Sequence, residues 1–243
     1  MSRAGVSEQA AADVLAPERF GTGVATLPVP ADDAYGHESE HTHSRVGRAM
    51  KRGLDLVGGA LALILLSPFL LAIALLIKID SPGPVLFRQR RVGRNGEVFE
   101  MRKFRTMIRD ADARKLSLLH MNEAAEGLFK IREDPRITRV GRILRTTSLD
   151  ELPQLLHVIT GRMSLVGPRP LVPEEDARIQ GRHRHRLQMR PGMTGPWQVA
   201  GASQIPIAEM VELDYEYLSD WSIGRDVKLL VGTVPHVIMR RGL

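Results

Sequence analysis

The chain has 243 residues, enough for one large domain or two small ones, and 43% apolar content, enough for a real core. It has no cysteine, which excludes disulfides, thiolate metal sites and a cysteine nucleophile, and suits a reducing compartment. The net charge of +6 is uneven: residues 1–44 hold seven acidic and two basic side chains, and the remainder holds 32 basic and 21 acidic, a net of +11 that points to anionic partners such as phosphorylated ligands, anionic lipid or nucleic acid.

In chain order, "MSRAGVSEQAAADVL" lacks the apolar core of a secretory signal. Residues 1–44 are rich in Ala, Pro, Gly and acids without a sustained period, and read as a disordered acidic tail. An apolar segment follows, with no charge across the 22 residues from Leu56 to Ile77. As one helix it would reach ~33 Å, enough for a hydrocarbon core of ~30 Å. Two features speak against a simple span. Pro68 removes a backbone hydrogen bond and crowds the carbonyl four residues back, while Ser67 can satisfy part of the freed backbone. The flanks are basic at both ends: Arg45, Arg48, Lys51 and Arg52 before, Lys78, Arg88, Arg90 and Arg91 after. Basic flanks mark the cytoplasmic side, and a re-entrant helix satisfies that mark at both ends where a spanning one satisfies it at one. Re-entry at 45–80 and a plain anchor with a tolerated kink both stand on the residues alone; a buried core helix fits this length less well.

"SPGP" (81–84) breaks the chain. "VLFRQRRVGRNGEVFEMRKF" predicts a β-hairpin turning at Asn95-Gly96. Residues 107–122 carry a charged helical pattern, and "EDPRITRVGRILRTTS" reads as a loop and short helix dense in Arg. "LDELPQLLHVIT" puts Leu152, Leu155, Leu156 and Ile159 on one helical face, with Gly161 as the stop. "SLVGPRPLVPEE" and "RPGMTGPWQVAG" read as loops, and 206–220 and 224–239 as amphipathic helices, the second bent or stopped at Pro235. Trp197 and Trp221 suit either interfacial anchors or core. The expected fold class is α+β, mainly helical: a disordered tail (1–44), a membrane helix (45–80) and a catalytic domain (81–243) with a small β-hairpin and interfacial helices.

Within "SLDELPQ", Asp150 and Glu151 open the apolar-faced helix. Ser148-x-x-Glu151 matches a capping box, and acids belong in a first helical turn. With Ser148 as cap, Pro153 falls in the hydrogen-bonded body; with Asp150 as cap, it falls in the free first turn. The surrounding sequence adds Lys103, Arg105, Arg136, Arg139, Arg142, Arg145, Arg162 and Arg169. Two acids among many bases suit Mg²⁺-assisted phosphoryl chemistry, in which bases hold phosphate oxygens and a carboxylate binds the metal or attacks phosphorus. Single arginines read equally as a solvated face or an anionic-lipid contact. "GPRP" stiffens the backbone around Arg169, so its guanidinium loses less entropy on binding phosphate or nucleotide. "RHRHR" (182–186) lacks a metal-ligand frame, and neither GxxxxGK[ST] nor GxGxxG occurs.

Three ordered blocks, "KRGLDLVGGALALILLSPFLLAIALLIKIDSPGPVLFRQRRVGRNGEVFEMRKFRTM", "DPRITRVGRILRTTSLDELPQLLHVITGRMSLVGPRP" and "RPGMTGPWQVAG", resemble the bacterial sugar transferases, the monotopic phosphoglycosyl transferases that act on polyprenol phosphate; the resemblance covers about residues 46–240. It implies a helix-break-helix bent at Ser67-Pro68 that enters and leaves the cytoplasmic leaflet of the inner membrane of a bacterium. It implies transfer of a sugar-1-phosphate from a nucleotide diphosphate sugar, usually a UDP-sugar, to undecaprenyl phosphate, with release of UMP. This is the first membrane step of exopolysaccharide, capsule, O-antigen or glycoprotein glycan assembly. Asp150 would be the nucleophile that forms a phosphosugar-enzyme intermediate. Glu151 would serve Mg²⁺ with Asp150, and Lys103, Arg145 and Arg169 would bind phosphate or nucleotide. The resemblance implies no nucleic acid partner and admits a homodimer. The chain departs from the family pattern at His157, Ala202 and Gln204, which puts sugar specificity in doubt. The competing reading is a non-catalytic basic membrane adaptor binding anionic lipid or nucleic acid, which gives no reason for Asp150, Glu151 and Arg169.

Overall fold

The computed structural model describes residues 45–114, 116–122, 131, 133–200 and 206–238. The 1–44 tail, Ala202 and Gln204 lie outside the described residues. Chain order is a long helix α1 (Arg45–Asp80), strands β1 (Leu86–Val92) and β2 (Val98–Phe104), α2 (Arg139–Thr146), α3 (Leu155–Thr160), β3 (Ser164–Val166), α4 (Pro173–Asp176), β4 (Gly192–Thr194), α5 (Pro196–Ala200), α6 (Ile207–Ser219) and α7 (Ile223–Ile238). The chain is mainly helical α+β, as its patterning implied.

α1 is one element of 36 residues, long and apolar enough to cross a membrane by length and composition. The expected break at Ser67-Pro68 does not interrupt it: residues on both sides are helical. Pro68 has no N–H to offer the Ile64 carbonyl four residues back, and the Ser67 hydroxyl donates to that same carbonyl at 2.8 Å. The one acceptor that proline orphans is therefore re-satisfied from the neighbouring side chain.

Both ends of α1 rest on the same body. Near its start, Lys51 Nζ donates to the Val166 carbonyl (2.9 Å) and to Asp226 (2.6 Å). Arg52 donates to the carbonyls of Val158 (2.6 Å) and Ile159 (2.8 Å), placing its positive charge at the C-terminal end of α3. Asp55 accepts from Ser164 Oγ and the Leu165 amide. Near its end, Ile73 and Ile77 bury against Phe104 and Leu144, each such burial worth ~1.5–3 kcal/mol. Asp80 accepts from the Val140 amide in the first turn of α2. Between these anchors the apolar side chains of Leu61, Ile64 and Leu65 stand exposed, Ile64 at 69%.

β1 and β2 form the predicted antiparallel hairpin, in register from Leu86↔Phe104 to Val92↔Val98. Asn95 (φ 57°) and Gly96 (φ 78°) both take left-handed backbone, the requirement that makes Asn-Gly the hairpin signal, inside a loop closed by the Gly93 amide on the Glu97 carbonyl (2.8 Å). The helix expected over 107–122 does not form. Met107 bridges Ile137, with the Ile108 amide on the Arg136 carbonyl, and this pairing holds the chain extended; turns and a 3-10 helix at Leu116–Met121 follow.

The two stretches read as loops pair instead. β3 and β4 run parallel, Ser164↔Gly192 and Val166↔Thr194. Their backbones approach so closely that a Cβ on Gly192 would lie 2.1 Å from the Gly167 nitrogen and one on Gly195 2.2 Å from the Gly167 oxygen. Only glycine permits this contact, which joins "GPRP" to "RPGMTGP". Trp197 is core, packed with Leu171, Ile179, Met210 and Val211.

Candidate active site

The dyad sits in a 3-10 turn, Leu149–Gln154, that runs directly into α3. The capping-box reading is corrected here. Ser148 lies at φ 56°, ψ 17°, its side chain caps nothing, and its carbonyl accepts from the Glu151 amide at 3.2 Å. A non-glycine residue at positive φ carries strain of order 1 kcal/mol and tends to mark functional turns. Because Leu149–Gln154 supplies a turn ahead of α3, Pro153 needs no free first turn and is buried. The apolar face also differs from expectation: Leu155 and Val158 are buried while Leu156 is exposed. Gly161 ends α3 at φ 82°, as predicted.

β2 packs along the dyad turn and delivers Lys103, whose Nζ donates to Glu151 Oε1 at 2.7 Å. Glu151 keeps 35% of its side-chain exposure. Desolvation pushes its carboxyl up, but Lys103, by charge and hydrogen bond, with Arg169 and Arg91 beyond, holds it below the usual range. Asp150 behaves oppositely. Burial, reinforced by the Glu151 charge, raises it to about 6 against the opposing charges of Lys103 and Arg145. Two adjacent carboxyls thus hold their protons differently, a mark of sites that do chemistry.

Of the residues singled out in the sequence, Asp150, Glu151, Lys103, Arg145 and Arg169 come together electrostatically. Arg169 leaves the "GPRP" turn with its guanidinium 3.8 Å from the Trp197 ring centroid, a cation–π contact. Ser67 and Pro68 lie on the exposed middle of α1. Two other bases serve the scaffold: Arg105 holds the Ser81 and Pro82 carbonyls, and Arg136 pairs with Asp134 at 2.6 Å in the interior. Arg139, Arg142 and Arg162 are exposed.

Sequence reasoning counted Arg91 only as a flanking charge. Its register partner is Phe99, as Phe87 is that of Lys103, so Arg91 and Lys103 share one face of the hairpin. The Asn-Gly turn and strand alternation carried that signal. His157 is a neutral acceptor: its Nε2 takes the Arg102 amide at 3.1 Å, and burial, with the charges of Arg102 and Arg162, lowers its pKa. It ties α3 to β2 and so fixes the dyad against Lys103.

Among the described residues no group of three or more His, Asp or Glu side chains forms a metal cage. Mg²⁺ commonly takes one or two carboxylates and completes its shell from phosphate and water; Asp150 and Glu151 are the pair that could offer them, with Glu151 Oε1 also accepting from Lys103.

The bacterial sugar transferase family model matches residues 46–240. The exopolysaccharide production protein ExoY of Sinorhizobium fredii is 40% identical over 201 residues, covering 81% of this chain and 89% of that protein. The UDP-glucose:undecaprenyl-phosphate glucose-1-phosphate transferase of Caulobacter vibrioides is 44% identical over 199 residues, 77% of this chain and 69% of the relative. The undecaprenyl-phosphate galactose phosphotransferase of Salmonella typhimurium is 40% identical over 202 residues, 82% of this chain but 42% of the longer relative. With the family match spanning every block that carries the dyad and its bases, the chain belongs to the bacterial sugar transferases.

Proposed function

We propose that this protein transfers a sugar-1-phosphate from a nucleotide diphosphate sugar, a UDP-sugar, to undecaprenyl phosphate. The observation that carries the reading is the dyad: two adjacent carboxyls with divergent proton affinities facing Lys103, Arg145 and Arg169. An ionised Asp150 oxygen bonds to the phosphorus that bears the sugar. The bond from that phosphorus to the bridging oxygen breaks, and its electron pair leaves with UMP. A phosphate oxygen of the lipid then displaces Asp150 from the same phosphorus and returns the free carboxylate. Lys103, Arg145 and Arg169 bind the diphosphate and the charge that develops on it. Asp150 and Glu151 would hold Mg²⁺, which would supply positive charge against the donor's phosphates.

The soluble donor and the lipid acceptor meet on one face of the membrane. Anchoring of α1 at both ends to one body supports entry and exit on the same side, because a straight crossing would separate those ends by the ~30 Å core. The basic flanks support the cytoplasmic leaflet of the inner membrane. Relatives named for glucose and for galactose leave the sugar to experiment.

The test is UMP release by detergent-solubilised protein with Mg²⁺, undecaprenyl phosphate and a panel of UDP-sugars. Turnover with one sugar, abolished in Asp150→Asn and accompanied by a phosphosugar adduct on Asp150 when the lipid is withheld, is expected. Folded protein that releases no UMP with any sugar, yet binds anionic vesicles, would favour the adaptor reading.

A further inference from the structure

Arg169 extends from a turn whose backbone is gripped on two sides. Arg91, from the end of β1, donates Nη1 to the Pro170 carbonyl at 3.0 Å. Its Nη2 donates to Gln89 Oε1 at 2.6 Å, so the guanidinium is braced along its own strand. From the other side, Arg186 Nη2 donates to the Arg169 carbonyl. Arg186 is itself fixed by Asp176 (3.2 Å) and Asp214 (3.1 Å), both without solvent exposure. Successive carbonyls of one turn are thus held by two arginines from different elements. Prolines on both sides of Arg169 remove further freedom. The guanidinium then lies over the Trp197 ring.

Arg91 thus spends Nη1 and Nη2 on protein atoms, while its buried Nε meets no acceptor among the described residues. It nevertheless sits close enough for its charge to act on Glu151 and Arg169. We propose that Arg91 is a positioning residue that aims Arg169 at the donor's phosphates by locking the Pro170 carbonyl. The inference rests on the phosphoglycosyl transfer reading for its substrate, while its structural half, the hold on Arg169, stands apart from that reading. Losing Arg91 frees the turn, so Arg169 must be ordered at the moment the donor binds. A defect in donor binding therefore follows, with the nucleophile intact.

The experiment uses the full chain in detergent, labelled with 5-fluorotryptophan, in wild-type, Arg91→Ala, Arg91→Lys and Arg88→Ala forms. Arg88 is an exposed neighbour on the same strand. The Trp197 fluorine resonance is assigned by its retention in Trp221→Phe. In Arg91→Ala the Trp197 resonance should shift or broaden. The donor KM for the active UDP-sugar should rise about tenfold with kcat within about threefold of wild type. Arg91→Lys, which keeps one donor for the Pro170 carbonyl, should recover part of both changes; Arg88→Ala should match wild type. Should Arg91→Ala fail to fold, Arg91→Gln is read in the same way. A wild-type enzyme inactive with every donor would sink the transfer reading alone, and the fluorine resonance would still decide the hold on Arg169. An unmoved resonance with an unchanged KM overturns the proposal, as does an Arg91→Ala defect confined to kcat.

Discussion

Asp176 and Asp214 share Arg186 in an interior sealed from solvent, whereas Asp150 and Glu151 meet Lys103, Arg145 and Arg169 at a partly open surface. Both regions gather acids and arginines, but to different ends. In the sealed cluster Arg186 reaches Asp214 through two nitrogens and Asp176 through a third, and Arg184 adds a bond to Asp176 at 3.1 Å. Charges paired in this way fix backbone, here the turn that carries Arg169. In the open cluster the hydrogen bond between ions is Lys103 to Glu151, while Asp150 is left with a raised proton affinity. Charges left in reserve can accept a substrate. Burial with partners makes scaffold; proximity without full pairing makes a site.

The comparison breaks most sharply at the nucleophile. Asp150→Asn should reduce kcat by ~10³-fold or more while leaving the thermal unfolding midpoint at or above that of wild type at neutral pH, since it removes a buried charge, read by UMP release and a melt on one preparation. In the sealed cluster the pattern should invert. Arg186→Ala strips Asp214 of its ion partner and leaves Asp176 with Arg184 alone, and should destabilise the fold by ~3–5 kcal/mol in denaturant titrations. If Arg186→Ala melts like wild type, the two clusters are not different in kind.

A milder probe is pH. Asp150 must be ionised to attack, and its pKa in the protein alone is raised to about 6; Mg²⁺ held beside it would lower that value, so the acid limb of kcat/KM should lie at or below about pH 6 and move to higher pH as Mg²⁺ is diluted. The stability sign is opposite: an acid held above its ordinary pKa binds protons more tightly when folded, so its contribution to stability declines as pH rises from about 4 towards 6. Asp150→Asn should remove that decline. An acid limb that stays put as Mg²⁺ is varied would exclude Asp150 as the titrating group.

The smallest effect is expected at His157. Its pKa is lowered in the fold, so its contribution is present above its ordinary value near 6.5 and is lost as pH falls through the window below it. His157→Asn retains an acceptor for the Arg102 amide and should change stability at pH 7.5 by less than about 1 kcal/mol, whereas His157→Leu orphans that amide and should cost ~1–3 kcal/mol. Equal melts for the two variants would deny the hydrogen bond any role.

Much of this was written locally. The uncharged run from Leu56 to Ile77, the Asn95-Gly96 turn, the Gly161 stop and the two C-terminal helices depend on near neighbours in the chain, and the physics of period, φ and capping acts over a few residues. The Ser67–Pro68 pair is also local, since the hydroxyl and the orphaned carbonyl are three residues apart. What local rules misjudged is what distant partners decide. The helix expected over 107–122 yielded to pairing with Ile137, and the two glycine-proline stretches became β3 and β4 only because each found the other. The Ser148–Glu151 capping box, plausible by spacing, was replaced by a left-handed Ser148 once β2 packed against the dyad.

The sequence by itself determined the family, the apolar helix with basic flanks, the hairpin and the identity of the dyad with its bases, because motif order and short-range geometry are written in adjacent residues. Tertiary structure alone decided which bases act and which hold. Arg105 and Arg136 close loops, Arg52 places its charge at the end of α3, and Arg91 and Arg186 grip the turn of Arg169, since a guanidinium's role is set by the carbonyl or carboxylate that folding brings within about 3 Å of it.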